Sequence, residues 1–131
     1  MDSDTHTSKE LETLRELLVC LNDERDAIAK LDPAGIDRAA HRKAALDQAL
    51  VELHATRIQM SWGLAQEAKS QYLELLDAIR PLAEQNARGL QTAHRTVRGL
   101  INAMTGADKR AYGRQNAPIP TTSAILTSSI G

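Results

Sequence analysis

Four histidines, a single cysteine and a few serines are the side chains in this 131-residue chain with an obvious claim to chemistry. Their spacing does not support it. His6, His41, His54 and His94 form neither a His-Glu-x-x-His run nor a His-x3-His pair, and no cysteine or paired carboxylate stands beside them at ligand spacing. His41 and His54 share at most a broad helix face, so solvated histidines on helix surfaces are expected. Cys20 has no partner for an intrachain disulfide and reads as a plain free thiol, which fits a reducing compartment. Gly89, Gly99 and Gly106 are scattered in or after a helical pattern and build no phosphate-cradling loop. Ser61 and Ser70 lack the strand–turn–helix setting of a nucleophile elbow. Trp62, Tyr72 and Tyr112 are the only aromatic residues, so any cavity would be lined mainly by Leu and Ala. The expectation is a protein without catalysis, metal or cofactor.

The elements that would carry these residues are helices. Ala, Leu, Glu, Gln, Arg and Lys dominate residues 9 to 104, and the absence of Phe leaves a core of Leu, Ile, Val and Ala. Leu11, Leu14, Leu18, Leu21, Arg25 and Ile28 alternate spacings of three and four, which predicts one amphipathic helix with Ser8 as its N-cap. "LDPAG" ends it, because Pro33 disfavours helix at Asp32 yet suits the first turn of a new helix with Asp32 as N-cap. The second helix runs through Ile36, Ala39, Lys43, Leu46, Leu50, Leu53, Arg57, Met60 and Leu64, folding back as an antiparallel hairpin. Lys43 and Arg57 interrupt its seam; their stems can cover apolar surface, and Glu24 or Glu52 can pair with them, specifying register more than strength. Gly63 marks a bend. A third stretch passes Tyr72, Leu75, Leu76, Ile79 and Leu82, where Pro81 should kink or split it, and continues through Asn86, Leu90, Ala93, Val97, Leu100 and Met104. The predicted fold is all-α: an antiparallel bundle or coiled coil of three long helices. Residues 1–8 are expected to be a flexible N-terminus, 9–106 the helical domain and 107–131 a flexible C-terminal tail.

Charge sharpens this only slightly. The formal net charge is −1, but residues 1 to 31 hold eight acids against four bases, and residues 88 to 114 six bases against one acid. The simple reading sets the first and last helices side by side with opposite charge. Nucleic-acid binding is poorly supported, with one aromatic in the basic segment and no binding signature. No run of about 18 apolar residues predicts a membrane span, and the acidic, polar "MDSDTHTSKE" is unlike a secretory signal. A cytoplasmic protein is expected.

Several residues in order carry a resemblance: Glu24 and Arg25, Asp32 opening the second helix, Lys43 eleven residues on, Leu46 with Leu50, the "NARGL" segment, and "AYG" with Tyr112 and Gly113. Together they resemble the FlgN family, bacterial flagellar export chaperones for the hook–filament junction proteins, over roughly residues 10 to 115. The resemblance implies no reaction. It implies a chaperone that binds the C-terminal amphipathic helix of a junction subunit, prevents premature assembly and delivers the subunit to the membrane protein of the export gate. It further implies that Asn86, Leu90, Ala93, Val97, Leu100, Ile101 and Met104 face the client and that Tyr112 docks at the gate. The chain would be a monomer or weak dimer that neither inserts into a membrane nor binds nucleic acid. On periodicity alone residues placed as Val97, Leu100 and Met104 are more often core than interface, and Asn86 reads as a register lock. The competing reading is therefore a self-associating helical-bundle adaptor with no client.

Overall fold

The computed structural model describes residues 2–106, which form three helices: α1 (Ser3–Ala29), α2 (Pro33–Gln59) and α3 (Gln66–Thr105). The tail assigned to 107–131 lies outside the described residues. The chain divides into two compact units, Met1–Asn86 and Ala87–Gly131. The first holds the bundle. Hydrogen bonds joining Arg15 to Gln71 and Glu24 to Asn86 set α3 parallel to α1, and pairs joining Glu10 to Arg57 and Glu24 to Lys43 set α2 antiparallel to both.

Asp2, not Ser8, caps α1. Its Oδ1 accepts the Thr5 N–H at 2.7 Å, and that bond holds the Asp2 carboxyl below its ordinary pKa. Residues 3–8 are therefore helical rather than a flexible lead. The added turn also buries His6, correcting the expectation of a solvated histidine. A carbonyl is its partner, so the ring donates from Nε2 to Leu53 O at 2.7 Å, and it tilts against Trp62 at a centroid distance of 5.3 Å.

The first two helices end alike. After α1, Leu31 takes a left-handed φ of 50°, its N–H bonds Ile28 O, and the Asp32 N–H bonds Ala27 O. After α2, Ser61 takes φ 57°, its N–H bonds Ile58 O, and the Trp62 N–H bonds Arg57 O. Both are Schellman closures made without glycine. The second turn thus falls on Ser61 rather than on Gly63. Asp32 holds the N-cap position of α2 with Pro33 behind it, but its side chain makes no capping bond. A Cβ on Gly35 would lie 2.5 Å from Asp32 Oδ2 and 3.1 Å from Ala27 Cβ, so glycine lets the hairpin close this tightly.

Pro81 does not split α3. The helix passes through it, with Pro81 exposed and Ile79 and Leu82 buried on either side. An interior proline costs about 3 kcal/mol, and burying two aliphatic side chains at about 1.5–3 kcal/mol each offsets it. Leu14, Leu17, Cys20, Leu21, Ala39, Leu46, Ile79 and Leu82 form the core. The seam of α1 is shifted by one residue at three places: Leu17, Glu24 and Ala27 are buried where Leu18, Arg25 and Ile28 were expected, and Arg25 is exposed.

Two polar layers cross this core. In one, Glu24 is 1% exposed; its Oε2 accepts from Lys43 Nζ at 2.8 Å and its Oε1 from Asn86 Nδ2 at 2.9 Å. In the other, Glu10 Oε1 accepts from Arg57 Nε at 2.9 Å, with the Tyr72 phenol nearby. Burial, reinforced by the Glu10 charge, pushes the Tyr72 pKa up. Glu10 and Glu24, Arg57 and Lys43, and Tyr72 and Asn86 are each fourteen residues apart. That interval is two heptads, or about 21 Å of helix. One three-helix layer is repeated, and its register is shared by all three helices.

Replacing Lys43 by Met should lower unfolding free energy by about 3–5 kcal/mol in urea titrations, since Glu24 loses its counter-charge while remaining buried. Adding Glu24→Leu should recover most of the loss; a double variant no better than the single would contradict the pairing. Ser61→Gly should raise stability by about 0.5–1 kcal/mol, by relieving the left-handed backbone.

Candidate functional site

A concavity of about 460 Å³ near the α1–α2 turn is lined by residues that include Cys20, Asp23, Asp26, Asp32, Arg38 and Arg42. Cys20 is buried, its Sγ lies 3.4 Å from Ala39 O, and burial together with the Glu24 carboxylate pushes its pKa up. It is a thiol without nucleophilic character. Among the described residues no three His, Cys, Asp or Glu side chains converge on a metal position. His41 and His54 are exposed and engaged with Asp37 O and Arg57 respectively.

The second unit presents a different surface. Val97, Leu100, Ile101 and Met104 are all exposed, Leu100 at 56% and Met104 at 84%. Their spacing of i, i+3, i+4 and i+7 puts them on one helix face. Leu90 and Ala93, half-buried, continue the same line toward the N-terminal side. A shallow depression of about 230 Å³ lies along it, lined by His94, Val97, Arg98 and Ile101. Solitary exposed aliphatics are common on proteins, but four in register on two helical turns form a continuous apolar strip.

Asn86, expected on this face, is corrected. It is 2% exposed, and its Nδ2 donates to both Leu21 O and Glu24 Oε1 at 2.9 Å. Its amide is committed to α1, so it acts as a register lock in the bundle. Tyr112 lies outside the described residues. Six of the seven proposed face residues therefore remain together, and one belongs to the core.

Residue-type reasoning missed how the strip's borders are finished. The hydroxyls of Thr92, Thr96 and Thr105 donate to the carbonyls of Arg88, Thr92 and Ile101 one turn earlier, at 3.1, 3.0 and 2.9 Å. Satisfied internally, they lose little if a partner covers them. The signal was present in part, as Thr92 and Thr96 four residues apart, yet threonine is equally common on solvated helix surfaces.

Strip residues should be dispensable for folding and Asn86 should not. Val97→Asp and Leu100→Asp should each leave thermal unfolding and far-UV circular dichroism almost unchanged, within about 0.5 kcal/mol. Asn86→Ala should destabilise by about 1.5–3 kcal/mol, the range for hydrogen bonds to charged groups. The reverse ranking would place the strip in the core.

A family model described as FlgN protein matches residues 6–118. No curated protein and no solved structure matches the chain.

Proposed function

The chain belongs to the FlgN family, a family of flagellar export chaperones, and on that premise we propose that it escorts hook–filament junction proteins in the cytoplasm. It holds the C-terminal amphipathic helix of a junction subunit, blocks premature assembly and hands the subunit to the export gate. The observation that carries this reading is the exposed strip of Val97, Leu100, Ile101 and Met104, preceded by Leu90 and Ala93.

The physics suits reversible escort. A junction subunit keeps an apolar helix face for later coassembly, and that face must be shielded meanwhile. Helix-in-groove recognition supplies anchors at i, i+3, i+4 and i+7. Covering about 600–800 Å² of apolar surface at about 25 cal/mol/Å² gives roughly 15–20 kcal/mol gross, and association costs cut this to micromolar or nanomolar affinity. Met104, unbranched and polarisable, adapts to clients of differing shape. No step requires a catalytic group. Among the described residues no helix is long and apolar enough to cross a membrane. Tyr112 is the residue we assign to contact with the export gate.

Titration calorimetry of the full chain against the C-terminal segment of a hook–filament junction subunit tests the proposal. A 1:1 complex is expected, with Leu100→Asp weakening it about 10- to 100-fold through loss of about 1.5–3 kcal/mol of apolar contact. Tyr112→Ala should leave that affinity intact and impair export in motility assays. Unchanged affinity of Leu100→Asp, or a stable homotetramer indifferent to the segment, would instead support the self-associating adaptor.

A further inference from the structure

The two borders of the apolar strip are not alike. At about 100° per residue, His94 projects about 70° and Arg98 about 110° from the strip's centre, on one side. Gly89, Thr92, Thr96 and Ala103 occupy the opposite side, at about 70–130°. Arg88 and Arg95 lie about 170° away, on the far face. From residue 85 to residue 107 the sequence contains no acid, so nothing in this stretch of α3 neutralises Arg98. Arg98 lines the depression beside Val97 and Ile101 and has no ion-pair partner among the described residues. Next to it, His94 Nε2 is shielded from solvent and has no hydrogen-bond partner among the described residues.

Resting on the reading that the strip binds a client helix, we infer that the strip selects an amphipathic helix with carboxylates along one edge, laid so that this acidic edge follows Arg98 and His94. The opposite edge of the client packs closely against Gly89, Thr92, Thr96 and Ala103. Those residues are small, and their two hydroxyls already donate to backbone carbonyls, so close approach strands no donor. The small border permits contact and the basic border decides which way round the client lies. Arg98 is thus a specificity-determining residue. A cationic edge in the same place would meet a guanidinium that has no ion-pair partner among the described residues, which rejects it. Arg88 and Arg95 raise the local positive potential without touching the client.

The test uses the full chain and three synthetic helical peptides that share one Leu/Met face at i, i+3, i+4 and i+7 and carry Glu, Gln or Lys along one edge. Calorimetry should rank them Glu, Gln, Lys, with about three- to tenfold between successive peptides at low salt and less at high salt. Arg98→Glu should invert the order and Arg98→Gln should flatten it, with far-UV helicity kept in both. Arg95→Glu should preserve it. Equal affinities for the three peptides, no binding of any of them, or an Arg95→Glu variant that changes the ranking as much as Arg98→Glu would overturn the inference. Leu100→Asp separates the two levels of the argument. If it weakens every peptide while the wild-type chain shows no Glu preference, only the edge assignment falls. If it weakens none, the strip is not the binding face and both readings fall.

Discussion

Glu24 has given up nearly all contact with water, and a carboxylate so placed tolerates very few arrangements around it. Its desolvation is compensated only where Lys43 from α2 and Asn86 from α3 reach it together. A slip of α3 by one residue would turn Asn86 away and leave Glu24 Oε1 bare. Apolar packing among Leu and Ala has no such sharpness, because one aliphatic side chain substitutes for another with modest loss. Glu10 with Arg57 and Tyr72 repeats the arrangement two heptads away. Buried ion pairs add little net stability, and their documented use is to specify register. Two such layers fix all three helices of the first unit along their length.

That fixed bundle gives α3 an unusual division of labour. Its first part spends its apolar residues inward, on Ile79, Leu82 and partly buried Leu75 and Leu76. Its last turns keep the same periodicity while Val97, Leu100, Ile101 and Met104 remain in solvent. One helix thus carries two faces of similar composition with different fates, and local sequence does not separate them. The neighbours of these four exposed residues are arginine and histidine on one side and glycine, threonine and alanine on the other. The asymmetry of those neighbours turns a greasy surface into one with a preferred partner and direction.

Much of the architecture was legible. The alternation of three and four predicted the helices, and Pro33 and Gly63 marked the breaks, the second of them two residues beyond the turn at Ser61. Lys43 and Arg57 stood out as bases in an apolar seam, and Glu24 was named among their partners. The partner of Arg57 was not, because Glu10 sits forty-seven residues away and only the hairpin's register brings the two together. Arg25 was placed inward on spacing alone, one residue off, since a seam containing acids gives periodicity no apolar atom to follow. Ser8 lost the cap to Asp2 because both can supply the oxygen and the deciding fact, burial of His6 against Leu53 and Trp62, is tertiary. At Pro81 a kink or a split was legible, and the burial of Ile79 and Leu82 decides against the split. Within the candidate site, the line from Leu90 to Met104 could be read from spacing. That Asn86 lies inside and Leu100 outside could not, for both sit on one stripe and only packing parts them.

The central claim is that residues 97–104 form an uncovered apolar face which a client helix completes. Hydrogen–deuterium exchange of the full chain, with and without saturating hook–filament junction subunit, tests it most directly. Strong added protection is expected across backbone amides 90–104 on complex formation, with the amides around Glu10, Glu24, Lys43 and Arg57 unchanged. Protection that appears instead along α1 and α2, with 97–104 exchanging as before, would contradict it.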